Sequence, residues 1–142
     1  MDALTRPAPL TVTPLARIAH PQGDVYHGMK ASDDGYAGFG EAYFTTVHHG
    51  VTKGWKQHTR MVMNLVVVAG DVTFHLHDAA TGQTVSHCLG TQHYARLTVP
   101  PGWWMAFTGT APGLNLVCNL ASIAHDPTEA VNVPLATYPL AP

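Results

Sequence analysis

The chain has 142 residues, 46% of them hydrophobic and 11% charged, with a formal net charge of −2. That length suits one domain with a real core, and that composition excludes a disordered chain. The charge excludes a global basic field that would recruit nucleic acid or an anionic membrane. The longest apolar run, Leu65 to Ala69, is too short to span a bilayer.

In chain order, residues 1–22 carry Pro7, Pro9, Pro14 and Pro21 with little periodicity, and read as an arm or peripheral strand. Residues 23–142 are expected to form a β-barrel domain. A polar Asp- and Gly-rich stretch, Lys30 to Gly40, reads as a loop. Short β-like runs follow: Ala42–His48, the nearly continuous apolar Met61–Ala69 ended by Gly70-Asp71, and Val72–His77 with period two. Further runs are Thr84–Leu89, Tyr94–Val99, Trp103–Phe107 and Leu114–Leu120, with Gly and Pro between them. No segment of helical length carries a capped apolar stripe. Many short strands at regular spacing predict an all-β sandwich or barrel.

Cys88 and Cys118 are the only cysteines. No charged and apolar leader opens the chain, so the expectation is a cytoplasmic protein with two free, buried thiols. The ten histidines invite a metal reading. His75 and His77 share a strand face, but beyond Asp78 no carboxylate or Cys stands at ligand spacing, so they read as half-exposed strand residues and no cofactor or metal is expected. Lys53, Lys56 and Arg60, three of seven basic residues, fall within eight positions and could serve a diphosphate or simply a solvated strand. Tyr43, Asn64 and Asn119 are polar groups in apolar strands, which either line a pocket or pair at strand ends. Trp103 and Trp104 point to opposite sides of a strand, so one could stack on a ligand. His125-Asp126-Pro127 reads as a loop closing over the barrel end.

Two stretches carry a family resemblance. Gly54-Trp55-Lys56-Gln57-His58 through Gly70, and Val99-Pro100-Pro101-Gly102-Trp103-Trp104-Met105, resemble in order and separation the two motifs of the cupins. Lys56 and His58 fall on the two His positions of the first motif, Met63 on its Glu, and Met105 on the His of the second. The turn residues are present while most metal ligands are replaced, which argues against a bound iron or manganese. Phe39-Gly40-Glu41-Ala42-Tyr43-Phe44 and His125-Asp126-Pro127-Thr128-Glu129 extend the likeness to the metal-free sugar cupins, the dTDP-4-dehydrorhamnose 3,5-epimerases and related 3,4-ketoisomerases.

The resemblance implies a cupin-type double-stranded jelly roll acting on a nucleotide-diphosphate keto-deoxysugar, with a part in surface-polysaccharide sugar synthesis. It implies a homodimer that exchanges strands through the arm. The epimerase His–Asp dyad is absent at its family positions, Lys56 and near Ile123, and the epimerase Tyr position falls near Asn119. It places Lys56 and His58 together inside the barrel as the catalytic pair. Burial and repulsion would then favour their uncharged forms. His58 could be the base and Lys56 the oxyanion stabiliser, or the reverse; alternatively Lys56 reaches solvent and His58 only hydrogen-bonds in the barrel mouth. Lys53, Arg60, Tyr43, Asn64, Trp103, Trp104 and Asn119 are the candidate substrate-binding residues. The competing reading is a non-catalytic cupin that binds a sugar or other small molecule.

Overall fold

A computed structural model describes residues 5–141; the first four residues of the expected arm lie outside it. The twelve strands are β1 (Thr11–Pro14), β2 (Arg17–Ile18), β3 (Val25–Tyr26), β4 (Glu41–Thr46), β5 (Thr52–His58), β6 (Met63–Ala69), β7 (Asp71–Asp78), β8 (Gln83–Gly90), β9 (Ala95–Val99), β10 (Trp104–Gly109), β11 (Leu116–Ala121) and β12 (Ala130–Asn132). A single 3-10 turn, Leu135–Thr137, follows. Two five-stranded sheets, β1-β9-β6-β11-β4 and β12-β5-β10-β7-β8, face each other, and β2-β3 form a separate hairpin. This is the expected cupin-type jelly roll.

The strands read as they do because of what covers each face. In β7, Val72, Phe74 and Leu76 point into the core while the intervening Thr73, His75 and His77 point out. In β6, Met63, Leu65 and Val67 enter the same core, yet Asn64 and Val66 are buried too. Their outer face is roofed by the segment 28–36: Asn64 donates to the Gly35 carbonyl at 2.9 Å, and Arg96 of the neighbouring β9 donates to that of Gly28 at 2.7 Å. A strand covered on both sides has no reason to alternate, hence the continuous apolar run. Full burial of side chains such as Leu76, Leu97 and Val117 stabilises the barrel by about 1.5–3 kcal/mol each.

Between β6 and β7 the chain turns at Gly70 with φ +75°, and a β-carbon there would overlap the Leu114 carbonyl. The arm lies on its own barrel: β1 pairs with β9, Trp103 Nε1 donates to the Ala8 carbonyl at 2.8 Å, and Arg6 pairs with Asp78 at 2.9 Å. β1 is thus paired along the edge of β9 within this chain.

Three expectations about exposure are corrected. Cys88 is exposed, because it points outward from the edge strand β8, whereas Cys118 is buried; both are free thiols. His75 and His77 are buried rather than half-exposed. The segment after β12 covers the outer face of their sheet, where the His77 ring stacks on Tyr138 at 4.0 Å. The β2-β3 hairpin and β12 are two or three residues long, and no periodicity can announce elements that short.

Candidate active site

One mouth of the barrel opens into a cavity of about 310 Å³. Its floor is apolar and well buried: Met63, Leu65, Phe74, Val117 and Met105. Its polar groups include Tyr43, Asn119, His58, Lys56 and Lys53, the last two exposed at the rim. β5 explains the arrangement. Alternation sends Lys56 and His58 to the cavity side and Trp55 to the other face, where it is fully buried. The expected partial burial of Lys56 is not found, and its ammonium stands in reach of water.

His58 is held by a residue 71 positions away. Its Nδ1 lies 2.6 Å from Glu129 Oε1, and both side chains are buried. The second oxygen, Oε2, accepts the backbone N–H groups of Thr59, Arg60 and Met61 at 2.9, 2.9 and 3.0 Å. Burial opposes ionisation of Glu129, but the hydrogen bond from His58 and the N–H groups of Arg60 and Met61 outweigh it and bring the carboxyl to about 2. An ionised carboxylate only accepts, so Nδ1 carries the proton and Nε2 is left as the basic nitrogen. None of the side-chain hydrogen bonds among the described residues uses Nε2.

Across the cavity the hydrogen bonds of Asn119 fix Tyr43. Asn119 Oδ1 accepts the Asn64 N–H at 3.2 Å, so its Nδ2 donates to the Tyr43 hydroxyl oxygen at 2.9 Å. That leaves the phenolic hydrogen free to donate into the cavity. Burial pushes the Tyr43 hydroxyl above its usual range and outweighs the lowering by Asn119, so it stays protonated at neutral pH. The cavity therefore holds an oriented imidazole and an oriented phenol.

At the rim, Lys53 Nζ donates to Thr45 Oγ1 and to the Thr46 carbonyl, both at 3.1 Å, and sits over the Phe107 ring. Of the residues expected at the ligand, His58, Lys56, Lys53, Tyr43 and Asn119 share this cavity. Four others stand elsewhere. Arg60 is on the outside, paired with Asp126 at 2.9 Å. Asn64 is under the 28–36 roof, bonded to Thr98. Trp103 packs in the core against the arm, and Trp104 lies on the outer face against Tyr138. Strand alternation alone could not place the tryptophans, because the arm and the segment after β12 supply covers that no local pattern announces. Glu129 was part of the quoted resemblance but carried no role. Its signal was the one acid in residues 127–142.

Among the described residues no three His, Cys, Asp or Glu side chains gather in a geometry that could hold a metal ion. Among the described residues no helix is long and apolar enough to cross a membrane.

Fold and cavity together define a cupin-type barrel whose interior carries acid–base side chains. No family model matches the chain, and no curated protein is similar to it in sequence. Among solved structures it is similar to a dTDP sugar isomerase from Desulfovibrio desulfuricans G20, at 26% identity and a TM-score of 0.86, covering 95% of this chain and 90% of that one. It also resembles QdtA, a sugar 3,4-ketoisomerase from Thermoanaerobacterium thermosaccharolyticum solved with TDP, at 20% identity and TM-score 0.74, covering 86% of each chain. A third likeness is to RmlC, a dTDP-6-deoxy-D-glucose-3,5-epimerase from Legionella pneumophila, at 16% identity and TM-score 0.75, covering 93% of this chain and 79% of that one. The resemblance to cupin-type sugar-modifying enzymes is thus carried by the whole barrel.

Proposed function

We propose that this protein moves a proton next to the ketone of a nucleotide-diphosphate keto-deoxysugar, as an epimerase or isomerase of sugar biosynthesis. The observation that carries the reading is the His58–Glu129 pair opening on a cavity that also holds a free phenolic donor. The likeness to a dTDP sugar isomerase supports the substrate class.

In the proposed step His58 Nε2 takes the proton from the carbon beside the carbonyl. The C–H electron pair becomes the new C=C bond, and the carbonyl π pair moves to oxygen, which takes the Tyr43 proton. His58, now an imidazolium beside an ionised Glu129, returns its proton to the neighbouring carbon of the enediol: the C=C pair forms the new C–H bond, the O–H pair of the other enediol hydroxyl becomes the new C=O bond, and that hydroxyl's proton goes to the Tyr43 phenolate. Lys53 and Lys56 at the rim supply positive charge to a diphosphate. Arg60 takes no part, because it is committed to Asp126.

The finer reading is a cytoplasmic homodimer serving surface-polysaccharide synthesis. Exposed apolar side chains support self-association: Phe44 on β4, Val68 on β6, and Ile18, Val25 and Tyr26 on the hairpin. Light scattering coupled to size exclusion gives the mass directly.

The functional test is proton NMR of the protein with dTDP-4-keto-6-deoxyglucose in deuterium oxide. Deuterium entering the carbon beside the ketone, and not doing so with His58→Ala, supports the reading. Tight binding without exchange replaces it with a binding cupin.

A further inference from the structure

Beyond Glu129 the chain forms β12 on the edge of β5, and then crosses the outer face of the same sheet. Pairing is continuous through Val133, which exchanges backbone hydrogen bonds with Trp55 at 3.1 and 3.2 Å. Two residues of this segment, Asn132 and Val133, line the cavity. One stretch therefore carries the carboxylate that holds His58 and part of the cavity wall.

What fixes this stretch lies on the far side of the sheet. Trp55 Nε1 donates to the Leu135 carbonyl at 2.9 Å. Tyr138 is boxed by three rings, stacked on His77 at 4.0 Å, edge-on to Trp55 at 5.8 Å and tilted against Trp104 at 5.5 Å. Thr84 Oγ1 donates to the Pro139 carbonyl at 2.9 Å, so it must accept from His77 Nδ1 at 2.8 Å, which ties the His77 ring to the same anchor. Trp55 and Tyr138 are large aromatics with little conformational freedom, suited to hold a segment in register.

We propose that residues 130–139 are a strap, and that Tyr138 is a positioning residue acting through it to keep Glu129 on His58 and the Asn132–Val133 wall in place. The inference rests on His58 being the working base. If the wall and the carboxylate drift by an ångström, a loss of up to about 100-fold in turnover follows without loss of the barrel.

The test compares Tyr138→Ala with Tyr138→Phe, which keeps the ring stack. Three readouts are taken: turnover of dTDP-4-keto-6-deoxyglucose, amide exchange at Val133 and Thr59, and the downfield proton resonance of the His58 Nδ1–H held by Glu129. Thr59 N–H bonds the Glu129 carbonyl, so it reports the start of the strap. Expected for Tyr138→Ala are faster exchange at both amides with β6 and β11 protection unchanged, a broadened or lost Nδ1 resonance, and kcat reduced about 10- to 100-fold with KM changed less. Tyr138→Phe should stay within about twofold of wild type. A Tyr138→Ala protein with loosened strap amides, an intact Nδ1 resonance and unchanged kcat overturns the proposal. If that variant fails to fold, Thr84→Ala removes the Pro139 anchor and the His77 tie while leaving the Tyr138 side chain in place, and the same three readouts decide in the same way. Should wild type itself give no turnover, the functional reading fails, and the amide and Nδ1 readouts still decide whether Tyr138 positions Glu129.

Discussion

Replacing Glu129 by Gln should remove an acid-sensitive contribution to stability of about 3 kcal/mol. The folded carboxyl titrates at about 2 against an ordinary 4.5, and each unit of that difference is worth about 1.4 kcal/mol. The folded pKa is the lower one, so between these values the unfolded chain binds more protons. The contribution is therefore complete above about pH 4.5 and drains away as pH falls towards 2. Gln cannot ionise, and it presents one acceptor oxygen to a site where Glu129 serves His58 and three backbone N–H groups. The assay is urea unfolding of wild type and variant from pH 2 to 7. At neutral pH the midpoint should drop by roughly 1–2 M, and the gap between the proteins should close towards pH 2. Asp78, whose burial is outweighed by Arg6 and by backbone N–H groups, is also depressed and keeps its own acid limb in both proteins. A gap that stays constant across pH 2–5 would refute the ionised-carboxylate account of this site.

His58→Asn should lower kcat by about 10²–10⁴-fold with the barrel intact, checked by turnover and circular dichroism. Tyr43→Phe should reduce kcat more than it raises KM, since the phenolic hydrogen is needed only as charge develops on oxygen. Lys53→Ala should raise KM several-fold for a nucleotide-diphosphate sugar, whereas Arg60→Ala should leave kinetics unchanged and shift stability by at most about 1 kcal/mol, because its Asp126 pair is a surface one. In the native protein a maleimide should label Cys88 rapidly and Cys118 only after unfolding, since Cys118 is buried and its burial also pushes its thiol up; mass spectrometry of the labelled protein counts the sites.

The barrel was legible in the sequence because its determinants are local. Period two in β7, the two-sided apolar run of β6 and the Gly70 turn each declare themselves within a few residues. The spacing of the two motifs then located β5 and with it Lys56 and His58. The covers were not legible. Whether Trp104 meets ligand, solvent or Tyr138 depends on a segment more than thirty residues later, and Asn64 is hidden by a loop whose sequence reads only as polar.

The pairing of His58 with Glu129 shows why a site can be rebuilt while its fold persists. What proton transfer needs from the carboxylate is a fixed acceptor on Nδ1, and that can be supplied from any strand or loop reaching the same mouth. With Lys56 on the first motif position and Ile123 near the dyad acid's, the familiar dyad is missing from its usual places. Yet Glu129 reaches His58 from the residue just before β12, and three successive N–H groups after β5 are turned to hold it ionised. Four hydrogen bonds on one buried carboxylate, none of which would survive its replacement by an apolar residue, fix the orientation and tautomer of the His58 ring.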